Sequence, residues 1–273
     1  MMATLSDPAR PRLTAAQRRE ILKEDEAWVG KAFNVQANPR AIQANTRYLT
    51  MLLLDTALPH RASQAASFAE QLLDTIMSEH TGPPIACAKG CSHCCTTYVS
   101  ATIPEILNLA NSVRRTILRR ERVMAAAVQC GATPQVQREA RRVICPILEN
   151  HACSEYAHRP VSCRYLLSKS LEVCVKMLQR NEPAEFQFAD NVVAMRSFVI
   201  IMMKTALHLC GLPGQHYELN QALAVAMATE DAEARWLAGE PVFAAVPVDS
   251  NDQDTSPLKG MVHHLAGVIA PTI

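Results

Sequence analysis

The stretch Cys87-Ala88-Lys89-Gly90-Cys91-Ser92-His93-Cys94-Cys95, followed closely by Thr102-Ile103-Pro104-Glu105, divides the chain into two kinds of structure. Thr81, Gly82, Pro83 and Pro84 precede it and end any helix arriving from upstream. Four cysteines in nine residues, with a glycine between the first two, suit an irregular loop rather than a helix or strand. Thiolates two to four residues apart can converge on one soft or borderline cation when the backbone turns tightly, and Gly90 permits that turn. Thr102 and Glu105 then form a capping box with Pro104 in the first turn, where its missing N–H costs little.

On both sides of this segment, apolar residues recur at helical spacing. Thr14 with Gln17 predicts a capped helix carrying Ile21, Leu22 and Trp28. Further helices are predicted over residues 39–58 and 62–78, separated by Pro59. The Thr102 helix, with Ile106, Leu107, Leu109, Val113, Ile117 and Leu118, is expected to run to Gly131. A short helix over 134–142 follows, then a loop over 146–159. Helices are predicted over 161–178, 188–210 and 217–228, with a short one over 230–237. Val248–Ser256 reads as an acidic linker.

The composition agrees, with 49% hydrophobic and 5% aromatic residues and abundant helix formers. The fold class expected is mainly α: a single helical domain with an irregular cysteine-rich metal-binding segment. Its regions are an N-terminal helical part (1–80), a cysteine module (81–175), C-terminal helices packing on the module (176–243), and an acidic linker and tail (244–273).

A formal net charge of +1 provides no global field for nucleic acid or an anionic membrane. The charge is uneven, however. Arg114, Arg115, Arg119, Arg120, Arg122, Arg138, Arg141 and Arg142 meet only Glu121 and Glu139, whereas the region from Glu230 to Asp254 is acidic. Either these are two solvated faces, or the basic stretch offsets a nearby anionic site. The longest apolar run, Ser197–Met203, is far shorter than the ~20 residues of a membrane span. The N-terminus lacks the apolar run of a secretory signal. A cytoplasmic location is therefore expected. Thiols stay reduced there, so ten cysteines point to metal binding or redox chemistry rather than a disulfide scaffold. A redox C-x-x-C of the thioredoxin type wants a βαβ setting, and no parallel-sheet pattern accompanies Cys91 and Cys94.

A second group lies downstream: Cys145-Pro146, then Cys153 with Tyr156, Arg159 and Pro160, then Cys163-Arg164. Together with the first group it resembles the YkgJ-type zinc- or iron-chelating domain family, whose signature is CxxxCxxCC followed by Cys-Pro, C-x-x-Y-x-x-R-P and C-R. The resemblance covers about residues 85–167. It implies metal chelation by Cys87, Cys91, Cys94, Cys95, Cys145, Cys153 and Cys163, and leaves the metal open between zinc and iron, including a [4Fe–4S] cluster. A flagellin lysine methylase carries a similar signature, which implies by analogy that such a domain can belong to a protein-modifying enzyme.

Seven thiolates around one Zn²⁺ would carry about −5, too much for a partly buried place. Some are then protonated bystanders, or there are two metals, or a cluster takes four of them. Neighbouring side chains tend to diverge, so Cys94 and Cys95 more easily serve two metal atoms than one. His93, His151 and His158 are further candidate ligands. Arg159 and Arg164 are placed to donate hydrogen bonds to sulfur and offset its negative charge, and Tyr156 either does the same through its hydroxyl or packs its ring against Pro160. Cys130, Cys174 and Cys210 read as small buried hydrophobes, and Met195, Met202 and Met203 as core. No P-loop, G-x-G-x-x-G, H-E-x-x-H or Ser-His-Asp order is present, so catalysis stays open. The partners expected are a metal ion and a protein docking on the helical flanks, the latter suiting a zinc-stabilised interaction module.

Overall fold

The computed structural model describes residues 13–33, 38–79, 81–82, 84–164, 167–250 and 256–273. Residues 251–255 of the expected acidic linker, with Asp252 and Asp254, lie outside them, as do the first twelve residues. Among the described residues the chain is mainly helical. Its helices are α1 (Ala15–Asp25), α2 (Pro39–Leu54), α3 (Arg61–Ser78), α4 (Ile103–Val113), α5 (Ile117–Gly131), α6 (Gln135–Arg141), α7 (Leu171–Val175), α8 (Asp190–Leu209), α9 (Leu219–Ala228), α10 (Ala232–Leu237) and α11 (Ser256–Ile269).

The helices stack side by side. α8 lies against α2, α3 and α11; α3 also meets α4, α4 meets α9, and α9 meets α5. One continuous apolar core runs through them, with Leu49, Leu53, Leu72, Leu73, Ile106, Leu109, Met202, Leu207 and Leu223 fully buried. Each such side chain contributes ~1.5–3 kcal/mol by leaving water. Helix α8 is long and apolar enough to cross a membrane, but more than half of its most apolar window is buried in this core. Met202 and Met203 lie inside it, with Met195 packed at its edge.

Two short antiparallel strands join the core to the cysteine segment. β1 (Ser100–Thr102) pairs with β4 (His216–Glu218) in the register Ser100↔Glu218, Ala101↔Tyr217, Thr102↔His216. Each strand runs straight into a capped helix. At α4 the Thr102 N–H and hydroxyl both donate to Glu105 Oε2 (2.8 and 2.6 Å). At α9 the Gln221 N–H donates to Glu218 Oε2 (2.7 Å). The Thr14–Gln17 box likewise opens α1.

Several expectations are corrected. The Thr102 helix does not continue to Gly131; it stops at Val113, and α5 starts afresh after an extended Thr116. Both α4 and α9, and α9 and α5, pack together. A straight helix of that length would leave α9 behind, since it rises ~1.5 Å per residue. The bend is fastened by Arg114, which donates to the Ala226 and Thr229 carbonyls.

The helix expected over 161–178 is also broken. A 3₁₀ turn (Val161–Arg164) comes first, and Leu167 adopts a positive φ of 40° with its side chain buried. Ser168 bridges Phe188, and only then does Ser170 cap α7, its Oγ accepting from the Val173 N–H (3.3 Å). The expected loop over 146–159 contains a hairpin, β2 (Leu148–Glu149) with β3 (Ala152–Cys153). Its two turn residues, Asn150 and His151, both have positive φ (49° and 63°), as a tight I′ hairpin requires. The tail past the linker forms α11 on α8 and α2.

Candidate metal centre

The first cysteine segment is a succession of turns. The Cys91 N–H donates to the Ala88 carbonyl (3.0 Å) across Lys89 and Gly90, and Gly90 has φ of 94°. That value at the third position of a turn is the reason for a glycine there. Cys95 N–H then donates to Ser92 O (3.0 Å) and Thr97 N–H to Cys94 O (3.1 Å). The Thr97 hydroxyl adds a second bond to Cys94 O (2.8 Å).

The second segment is tied to the first through the backbone. The Cys145 N–H donates to the Cys95 carbonyl at 2.8 Å. From there the β2–β3 hairpin carries the chain to Cys153, and the Ser154 N–H and hydroxyl both return to the Ile147 carbonyl (3.1 and 2.8 Å). Cys163 follows a turn in which its N–H reaches the Pro160 carbonyl (2.9 Å). The neighbouring Val161 N–H donates to Glu105 Oε1 (2.8 Å). One buried carboxylate thus caps α4 and holds the Cys163 turn against it.

Part of the arginine-rich stretch is spent on the same task. Arg119 on α5 bridges Glu149 and Glu155, Arg122 binds Glu149, and the Ser112 hydroxyl donates to Glu155. Arg138 is buried against Glu218 (3.1 Å) and lies over the Tyr98 ring. Arg142, itself at a positive φ of 43°, binds the Leu178 and Met177 carbonyls and Asn181. These arginines therefore fasten the cysteine module to the bundle rather than forming one solvated face.

The thiols meet in a partly buried region. Cys94 and Cys95 are both half-buried. Both line a cavity of about 50 Å³ together with Cys145 and Cys163. Cys145, Cys153 and Cys163 also pack against the main apolar core. Cys163 is influenced electrostatically by Cys145, Cys153 and Cys94, and Cys87 by Cys94, Cys91 and Cys174. Burial pushes the Cys145 thiol up to about 11 and raises Cys87, Cys153 and Cys163. Cys94 is raised first by its hydrogen bond with Cys95 and then by burial. All ten cysteines are free thiols.

The expected hydrogen-bonding groups occupy distinct places. Arg159 stacks on the Tyr156 ring, its guanidinium carbon 3.7 Å from the centroid. From there its positive charge opposes the rise at Cys94, Cys153 and Cys163. Arg164 points to α3, donating to Asp74 Oδ1 (2.7 Å), and its own charge is disfavoured first by burial and then by Arg159. Arg164 Nε and Nη1 and Arg159 Nε are buried without a protein partner. His93 Nδ1 and His158 Nδ1 are likewise buried and unpartnered, whereas His151 sits exposed at the hairpin tip.

Among the described residues, no three His, Cys, Asp or Glu side chains close into a ligand set. The donor chemistry nonetheless suits a soft or borderline cation: clustered thiols, two buried imidazole nitrogens without partners, and an arginine to compensate charge.

Two features escaped the sequence reading. The first is the restart of the chain as α7, which carries the buried Cys174, after the Ser168 carbonyl has accepted from the Ala86 N–H beside Cys87 (2.7 Å). Its signal was the Ser170 cap, which restarts a helix close to the cysteine loop. The second is a cavity of about 540 Å³ lined by Thr96–Ser100, Ser162, Arg142, Phe186, Phe188 and Arg196, among others. It shares Thr97, Val99 and Ser162 with the small thiol-lined cavity. Comparison of the chain with protein-family models, with curated proteins and with solved structures finds no match.

Proposed function

We propose that the protein binds zinc or an iron centre through its two cysteine segments, as its resemblance to YkgJ-type chelating domains implies. The observation that carries this reading is the union of the segments: Cys145 is hydrogen-bonded through its backbone to Cys95, and Cys94, Cys95, Cys145 and Cys163 share one cavity. An apolar core has no use for so many thiols in turns fastened by ion pairs. Cys87, Cys91, Cys94, Cys95, Cys145, Cys153 and Cys163 are the donors, His93 and His158 the imidazoles at hand. Bound metal supplies the positive charge that turns these thiols into thiolates. Arg159 offsets the negative charge that remains. Reduced thiols of this kind suit a cytoplasmic setting.

A second reading, an enzyme that uses the centre to modify a protein side chain, is favoured by the 540 Å³ cavity. Its size is that of a small-molecule or side-chain site, and its wall continues into the thiol cavity. Anaerobic purification followed by absorbance, metal and acid-labile sulfide analysis tests the main reading. Stoichiometric zinc, or iron with sulfide and a brown colour, is expected. A metal-free protein that stays folded and takes up neither metal on reconstitution overturns it.

A further inference from the structure

The 540 Å³ cavity has one apolar and one cationic part. Phe186 and Phe188 lie two residues apart in a segment held extended by the Lys169 N–H on the Gln187 carbonyl (2.8 Å) and by the Ser168–Phe188 bridge. Residues so spaced share a face. The two rings stack, with centroids 5.7 Å apart and planes at 29°, and Phe188 stays 38% exposed. Met177, Leu178 and Ile200 add to this apolar wall.

The cationic part centres on Arg142. Helix α7 runs on into a π turn (Lys176–Arg180), whose Met177 and Leu178 carbonyls come too late in the helix for a following helical N–H to reach them. Arg142 donates to both and to Asn181 Oδ1. Three of its five N–H groups are thereby used, all on neutral oxygens, and two remain. Arg142 and Asn181 both hold a positive φ (43° and 58°). Such backbone, like a π turn, persists where its surroundings over-determine it, and it gathers at binding sites. Arg196 of α8 brings a second guanidinium to the wall. Asp249 is the one carboxylate there among the described residues, and its oxygens accept from Gln135 Nε2 (2.7 Å) and the Ser100 hydroxyl (2.5 Å). Two cations against one anion match a ligand with a single negative charge.

We propose that this cavity binds a small aromatic carboxylate, its flat body on Phe186 and Phe188 and its carboxylate on the remaining N–H groups of Arg142. The volume is that of a small-molecule site, and a guanidinium fork matches a carboxylate in shape as well as charge. A polyanion would exceed the positive charge of the wall, and a neutral flat molecule would leave the arginine donors to water. The inference needs no metal and borrows from the enzymatic reading only the cavity. The ligand would nonetheless lie close to the first cysteine segment, because Thr97 in the wall binds the Cys94 carbonyl through both its N–H and its hydroxyl.

The test is calorimetric titration of the full-length, reduced chain, with metal content measured on the same sample. The probe is 2-naphthoate, and 2-naphthamide is its uncharged counterpart. Wild-type protein is expected to bind the carboxylate about tenfold or more tightly than the amide, the difference one charge-assisted hydrogen bond brings. Phe188→Ala, at a part-exposed position, is expected to weaken both by about fivefold. Arg142→Gln is expected to abolish the preference while the amide still binds, and Arg142→Lys to keep part of it. Since Arg142→Gln could disturb the π turn, wild type and Phe188→Ala carry the test without it. Equal affinity for the two probes in wild type, or binding of neither at millimolar concentration, overturns the inference. So does a preference that Phe188→Ala and Arg142→Gln both leave unchanged at wild-type affinity, which places binding elsewhere. The expected pattern in metal-free protein supports the inference and counts against the metal-centre reading alone; metal-loaded protein without the preference does the reverse.

Discussion

The helical bundle and the cysteine module are held by different forces, although they share one core. In the bundle, α2, α3, α4, α8 and α9 bury Leu49, Leu73, Ile106, Leu207 and Leu223 completely, and order follows from apolar area removed from water. Over residues 87–99 and 142–163, on either side of α4, α5 and α6, the chain is turns, a hairpin of two-residue strands and 3₁₀ pieces. There the fixing contacts are polar: Glu105 on Val161, Arg119 on Glu149 and Glu155, and Arg164 on Asp74. The difference teaches that the bundle can stand by itself, while the module depends on individual anchors and, on the reading proposed here, on bound metal.

The sharpest way to break this comparison is to remove the metal. Chelation is expected to unfold the module while most of the helical circular dichroism remains. Structural metal sites contribute ~10–16 kcal/mol in small domains, so the effect should be the largest of all. Hydrogen exchange checks it: protection should fall over 87–99 and 142–163 and persist in α2, α3, α4 and α8.

Next comes the bundle. Leu73→Ala is expected to cost ~2–5 kcal/mol in chemical denaturation while leaving metal content per folded chain unchanged. Glu105→Ala should combine both behaviours. It removes the α4 cap and the partner of the Val161 N–H, costing ~1–3 kcal/mol and loosening the Cys163 turn. Its signature is a lower melting temperature together with faster metal loss to a chelator.

These predictions show which parts were legible in the sequence. The capping boxes at Thr14 and Thr102 are local, so spacing alone revealed them, as did the helical core and the turn at Gly90. The break between α4 and α5 was not legible, because it answers to α9, more than a hundred residues away from Arg114. The hairpin at Asn150–His151 was hidden by strands only two residues long. The break before α7 was missed because a continuous helical pattern over 161–178 ignored the joins of Ser168 to Ala86 and Phe188, although Cys174 is buried as its sequence reading expected. The arginine-rich stretch, ambiguous as a sequence, has its role decided by Glu149, Glu155 and Glu218.

A smaller effect sharpens the comparison within the module. Gly90→Ala has room for its methyl group, since nothing lies within 4 Å of it. The backbone at φ 94° still disfavours it, by ~1–2 kcal/mol. A modest fall in melting temperature, larger with metal bound than without, is the expected result.

The smallest effect belongs to the seam between the two regions. Glu70 on α3 is fully buried, accepts from Asn108 Nδ2 (2.8 Å), and leaves Oε1 without a partner. Burial first, then Glu105, holds its carboxyl well above the usual range. A carboxyl whose folded value is raised lends its full stability below the unfolded value and loses it as pH rises through the folded one. Glu70→Gln is therefore expected to be more stable than wild type at neutral and alkaline pH. That advantage should shrink towards pH 4–5 in thermal melts.

The central claim is that two distant cysteine segments make one metal-binding region. Metal and sulfide per chain, measured side by side in anaerobically purified wild type, Cys91→Ser and Cys145→Ser, test it most directly. The account predicts metal in wild type and a marked loss in both variants, one from each segment. Metal-free wild type, or wild-type metal content in Cys145→Ser, would contradict it.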